Sequence, residues 1–168
     1  MKVINLFGGP GAGKSTTAAG LFFLMKTKGL KVELVTEYAK DLTYERNWTR
    51  LHSQLAVTAE QCYRLDRLAG QVDWVVTDSP VILGAIYGKK KFERTTAIQA
   101  FHEFDNVNFI IDRVKPYQPY GRRESQQSAQ HIDERILLLL DQWHIHAPIV
   151  PGNEDAPKTI FDILFPQY

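Results

Sequence analysis

The chain has little of what staples or anchors a protein. A single cysteine, Cys62, stands among 168 residues, which excludes an internal disulfide framework and the paired-cysteine zinc patterns and fits a reducing compartment. Its place in a helical stretch predicts a packed thiol rather than a reactive one. The five histidines show no metal spacing, since His144 and His146 are two apart and no HExxH pair exists. Charge of one sign is missing as well: 20 Lys and Arg against 19 Asp and Glu leave a formal net charge of +1. No molecule-wide field therefore draws in nucleic acid or membrane, and any basic surface must be local. Long apolar runs are absent too. The longest leucine run, residues 137–140, is far below membrane-spanning length, and the first residues pass directly into a glycine-rich loop, leaving no room for a signal peptide. The expectation is a soluble protein of the cytoplasm.

What is present suffices for one core. Hydrophobic residues make up 44% of the chain, with nine Phe, seven Tyr and three Trp, enough to stabilise a domain of this length without metals or disulfides. Apolar and β-branched density predicts strands at 3–7, 31–36, 72–77 and 107–112, with a last one at 145–150 that Pro148 assigns to a sheet edge. Apolar positions three or four apart predict helices at 15–28, 50–69, 93–104, 125–143 and 154–164, and a short one at 81–87. Strands alternating with helices, with no repeat, linker or composition break, predict a single α/β domain over residues 1–168 around a mostly parallel sheet.

The most specific signal is Gly8-Gly9-Pro10-Gly11-Ala12-Gly13-Lys14-Ser15, a full match to G-x-x-x-x-G-K-[ST] between a predicted strand and a predicted helix. Glycines let the backbone wrap phosphates with its N–H groups pointing inward, and the helix adds the positive end of its dipole. Lys14 is expected to reach the β- and γ-phosphates of a nucleoside triphosphate, and Ser15, followed by Thr16, to place a hydroxyl on Mg²⁺. A dinucleotide fingerprint is disfavoured, because G-x-G-x-x-G counted from Gly9 needs glycine where Lys14 stands. The motif narrows the fold class to a three-layer P-loop NTPase sandwich with five strands.

Ligands of open parallel sheets sit beyond the carboxyl ends of the strands. Two carboxylates stand there. Asp78 ends Trp74-Val75-Val76-Thr77, where it could hold Mg²⁺ or orient an acceptor; the alternative is an N-cap for the segment after Pro80. Glu37 follows the second strand and could accept the proton of an attacking hydroxyl, or else merely favour a helix N-terminus through the dipole. Tyr38 beside it could stack on a base or pack. Residues 113–124 then combine Arg113, Lys115, Arg122 and Arg123 with Pro, Gly and Tyr, which suits a mobile basic lid closing over a triphosphate, or a solvated face. Arg122 and Arg123 are the leading lid candidates. Lys89, Lys90 and Lys91 form a second basic cluster, open to a nucleic-acid backbone, an anionic acceptor or solvent.

These features together resemble the small P-loop kinases of the nucleoside and nucleoside-monophosphate kinase group, including thymidylate kinase, and most of all the bacteriophage hydroxymethyluracil DNA kinases. The likeness spans residues 8–15, Thr36-Glu37-Tyr38-Ala39-Lys40, the strand ending Thr77-Asp78-Ser79-Pro80, and the segment from Tyr117 to Arg123. It implies an ATP- and Mg²⁺-dependent kinase. By the same likeness Asp78 is the acidic residue ending the third strand, Glu37 serves acceptor chemistry, Arg122 and Arg123 are lid arginines, and the Pro151-Gly152-Asn153 turn lies near the adenine. It also implies a modified base in phage DNA as acceptor and the host cytoplasm as location. Asp78-Ser79 stands in place of the Asp-Arg pair of ordinary thymidylate kinases, which leaves the acceptor open. The rival reading is a nucleotide-hydrolysing switch or ATPase module, against which the absence of an acidic pair at 78–79 weighs.

Overall fold

The computed structural model describes residues 1–114 and 125–168. Five parallel strands form one sheet in the order β2-β3-β1-β4-β5, with β1 at Lys2–Phe7, β2 at Val32–Val35, β3 at Trp74–Thr77, β4 at Asp105–Asp112 and β5 at Ile149–Pro151. The central strand β1 is buried from Val3 through Phe7, as a strand covered on both faces must be. Its alternate side chains enter two different cores. Ile4 and Leu6 join Leu21 and Met25 of helix α1 (Lys14–Thr27) and Ile160 of helix α8 (Ala156–Leu164). Phe7 turns to the other layer, among residues of α5 (Gly84–Tyr87), α6 (Lys91–His102) and α7 (Gln126–Gln142). The result is a three-layer α/β fold.

This topology positions a site. From β1 the chain crosses by α1 to β2 at one edge, and from β3 it crosses back over β1 to β4. The carboxyl end of β1 therefore lies at a switch point, where the two crossovers diverge and leave a crevice. Leu21 is fully buried between the sheet and α8, so Leu21→Ala is expected to lower unfolding stability by about 3 kcal/mol in a urea titration.

Two expectations need correction. The helix predicted at 50–69 is two helices, α3 (Trp48–His52) and α4 (Gln54–Asp66), broken at Ser53 with φ −88° and ψ 89°. The Asn47 side chain accepts the Arg50 N–H to start the short α3, and the Ser53 N–H closes it on the Arg50 carbonyl. Leu51 then faces a cavity, so the apolar stripe that suggested one continuous helix is in part a cavity wall. A further helix, α2 (Tyr38–Tyr44), follows Glu37. The last strand begins only after Pro148, whose carbonyl accepts the Ile110 N–H, and it lies at the sheet edge.

Candidate functional site

Residues 8–13 join β1 to α1, and Gly13 takes φ 107°, a left-handed conformation that L side chains rarely adopt. A Cβ at Gly13 would meet the Gly152 carbonyl at 3.2 Å, so the Pro151-Gly152-Asn153 turn packs against the loop. Gly13, at the N-cap, offers no side chain to cap α1, and the first turn holds no acidic residue. Its leading amides are left for an external anion. Ser15 and Thr16 sit exposed in that turn, on the wall of a cavity of about 560 Å³.

Lys14 bends back so that Nζ donates to the Gly9 carbonyl at 3.1 Å. Burial lowers its pKa from the ordinary lysine value, while the carboxylates of Glu37, Asp78 and Asp133 act in the opposite direction. The loop ammonium and the two strand-end carboxylates thus share one enclosure.

Asp78 is 3% exposed, and its Oδ1 has no hydrogen-bond partner among the described residues. The capping alternative is not what the turn uses: the Ser79 N–H donates to Thr77 Oγ1 at 3.1 Å, and the 3₁₀ turn Val81–Leu83 has no side-chain cap. A buried carboxylate oxygen without a partner is costly unless a cation or water completes it. Hard oxygen donors from Asp78 and Ser15 suit magnesium, which takes few protein ligands and keeps its waters. Among the described residues no cluster of three or more His, Cys, Asp or Glu gathers to hold a more heavily ligated ion.

Glu37 stands at the N-cap of α2, but its side chain makes no capping bond. The helix entry is held by Gln61, which sequence reasoning missed. This α4 side chain is 3% exposed; its Oε1 accepts the Tyr38 N–H at 3.2 Å and its Nε2 donates to the Thr36 carbonyl at 3.3 Å, bracketing Glu37. Tyr38 packs rather than offering a free face, since the Arg64 and Arg50 guanidiniums lie 4.8 and 5.6 Å from its ring centroid.

Beyond the two carboxylates the same cavity continues between Leu51, Val57, Leu83 and Tyr87, with His52 and Gln54 as polar wall groups. Lys89 lines it. Lys90 instead lies over the Phe92 ring at 5.6 Å, and Lys91 is exposed at the start of α6. Arg122 and Arg123, with the expected lid from residue 115 onward, lie outside the described residues. Arg113 is bound at the loop: Nη2 meets Asp133 Oδ2 at 2.9 Å and Nη1 donates to the Pro10 carbonyl at 2.9 Å. Asp133 is a second residue that sequence reasoning missed.

Cys62 packs beside Leu65 in the core below this wall, where burial and the nearby Asp66 carboxylate push its thiol up to about 11. Alkylation by iodoacetamide at pH 8 is expected to be about a hundredfold slower than for a free cysteine, because so little thiolate is present.

A family model described as an AAA domain matches residues 3–156. No curated protein matches. Among solved structures, one titled deoxyadenosine kinase from M. mycoides, with products dCMP and a flexible dCDP bound, covers 100% of both chains at 18% identity with a TM-score of 0.57. At that identity the likeness is one of fold, the three-layer α/β arrangement around a parallel sheet.

Proposed function

Because the chain belongs to the AAA-domain family, which matches it over residues 3–156, we propose that residues 1–168 act as one P-loop domain transferring the γ-phosphoryl group of ATP, with Mg²⁺, to a hydroxyl on a nucleoside-type acceptor. The observation that carries this reading is the continuity of the cavity. One enclosure of about 560 Å³ runs from the phosphate loop, past Glu37 and Asp78, into a chamber beside Leu51, Leu83 and Tyr87. A nucleotide hydrolase needs only the loop end; a transferase needs a second place for the acceptor. The fold likeness to a nucleoside kinase supports the same class.

In this mechanism the loop amides and Lys14 hold the donor phosphates. The acceptor oxygen attacks the γ-phosphorus as the bond to the β-bridging oxygen breaks, and its proton passes to Glu37, whose backbone Gln61 fixes on both sides. Ser15 and Asp78 would hold Mg²⁺, which supplies charge neutralisation across the phosphates when bound. Arg122 and Arg123 would steady the transferring group from the lid.

The specific acceptor we propose is the hydroxymethyl group of hydroxymethyluracil in phage DNA, with the host cytoplasm as the place of action. A base would have to leave its stack to reach the chamber, and Lys89 at the cavity wall, with Lys91 exposed beyond it, offers cations for a strand backbone. Incubation with γ-labelled ATP and a panel of nucleosides, nucleoside monophosphates and hydroxymethylated DNA tests the whole reading. Label on hydroxymethylated DNA supports it in full, and label on a free nucleoside or nucleotide corrects the acceptor alone. Label found only as free phosphate shows a hydrolytic switch instead.

Lys14 also predicts a pH dependence. Polyphosphate binding favours the ammonium form, whereas burial by the protein itself favours the neutral amine. Affinity for Mg·ATP is therefore full below the lowered folded pKa and falls as pH rises through it, earlier than for an ordinary lysine. The same shift makes the empty protein gain stability as pH rises from that folded pKa toward the unfolded value. Calorimetric titration over a pH series reads the first effect and thermal unfolding over the same series the second.

A further inference from the structure

The peptide of Gly9 is a hub. Its carbonyl accepts from both the Ala12 N–H at 3.2 Å and Lys14 Nζ at 3.1 Å. Its N–H donates to Asp133 Oδ1 on α7, 124 residues away in the chain. The other oxygen of that carboxylate accepts Arg113 Nε at 3.2 Å and Nη2 at 2.9 Å, and Arg113 Nη1 donates to the carbonyl of Pro10. One ion pair thus holds an N–H and a C=O of two consecutive loop residues, in a geometry that a flexible lysine could not reproduce.

The pair is built rather than incidental. Its side chains are only 11% and 28% exposed, so its hydrogen bonds are stronger than those of a surface pair. Contact with the loop is close enough to dictate residue type. A Cβ at Gly9 would stand 2.6 Å from the Ala129 carbonyl and 2.7 Å from Asp133 Oδ1, so α7 can approach the loop only where that side chain is absent.

We infer that Asp133 and Arg113 are positioning residues that act as one unit to hold the phosphate loop in its ligand-ready shape, so that nucleotide affinity depends on a helix that is remote in sequence. The inference rests on the phosphate loop being the donor site. Neither residue needs to touch the nucleotide. Their effect passes through Gly9 and Pro10 to the orientation of the inward-facing amides and of Lys14, whose ammonium is anchored on the same Gly9 carbonyl. Without the carboxylate the Gly9 N–H loses its partner and Arg113 is left as an uncompensated cation beside the loop. The loop must then be ordered by the ligand, and affinity falls by the cost of that ordering.

The test is a double-mutant cycle read by calorimetric titration of Mg·ATP, with melting temperature and steady-state kinetics measured in parallel. Asp133→Asn and Arg113→Gln should each weaken Mg·ATP binding about tenfold. The double variant should be no weaker than the worse single one, because the two act together. Asp133→Ala, which removes the acceptor for the Gly9 N–H altogether, should lose more than Asp133→Asn. The KM for ATP should rise while the KM for the acceptor stays unchanged, a split that a merely destabilised fold would not produce. Gly9→Ala attacks the same contact from the loop side and should reproduce the loss even if an Asp133 variant fails to fold. Folded variants that bind Mg·ATP as the unaltered protein does, or effects of the two single variants that simply add, would overturn the inference while leaving the donor site intact. An unaltered protein that does not bind Mg·ATP would overturn both.

Discussion

Lys14→Met will lower phosphoryl transfer by at least about a thousandfold and leave the fold in place. The side chains are of similar length, so the space beneath the Gly9 carbonyl remains filled. What is lost is one charge, the ammonium held part-buried against the Gly9 carbonyl at the cavity wall. There a cation opposite the transferring phosphoryl group is worth far more than in solvent, and it needs no reorganisation as charge develops. The loop itself should survive, because its shape is set by glycine conformations and by Asp133 and Arg113 rather than by Lys14 alone. Burial disfavours the ammonium, so without nucleotide the methionine variant should melt at the same temperature or slightly higher. Label transfer and thermal unfolding on the same preparation decide the matter: a variant that retains more than about a tenth of the transfer rate would place the donor phosphates elsewhere.

The fold was legible where pattern and burial coincide. The stretch from Val3 to Phe7 is buried on both faces because β1 is central, and its near-continuous apolar character, broken only by Asn5 whose side chain is hydrogen-bonded to Asn106 and Asn108, is that burial seen in one dimension. Edge elements were less legible. The strand at Ile149–Pro151 is shorter than its apolar surroundings suggest, since Pro148 has no N–H to add to the ladder. The helix predicted at 50–69 failed for a different reason: periodicity reports which residues avoid water, not what they avoid it against. Leu51 lines a cavity, Leu55 is 41% exposed, and only Leu65 of that stripe is fully in the core.

The site divides along the same line. The glycine-rich loop, Glu37 and Asp78 could be named because each lies at the end of an apolar strand, so local sequence carries both their chemistry and their place. Gln61 and Asp133 act on those groups from other helices, and no spacing rule links residue 61 to residues 36 and 38, or residue 133 to residue 9. A usable signal did exist. Asp133 falls beside a stripe of Ala129, Ile132, Ile136 and Leu140 on α7, and Gln61 falls between Thr58 and Leu65 on the buried side of α4. A polar side chain on an apolar face must find a buried partner, and in both helices that partner is the backbone beside the candidate chemistry.

Asp78→Asn is expected to move activity and stability in opposite directions. The substitution keeps the shape and removes the charge. The Asp78 carboxylate is buried, its Oδ1 has no hydrogen-bond partner among the described residues, and Thr77 Oγ1 rather than Asp78 holds the Ser79 amide. Removing a desolvated charge that forms no bond at that oxygen should stabilise the empty protein by about 1 kcal/mol, visible as a higher melting temperature. Transfer should fall about a hundredfold or more, and the magnesium concentration giving half-maximal rate should rise, because a neutral amide oxygen is a weaker donor to a hard cation. A purely structural Asp78 predicts the reverse on both counts, with lower stability and an unaltered magnesium dependence. The sign of the two changes, measured together on folded protein, therefore separates a metal-facing carboxylate from a turn residue without any knowledge of which acceptor the chamber takes.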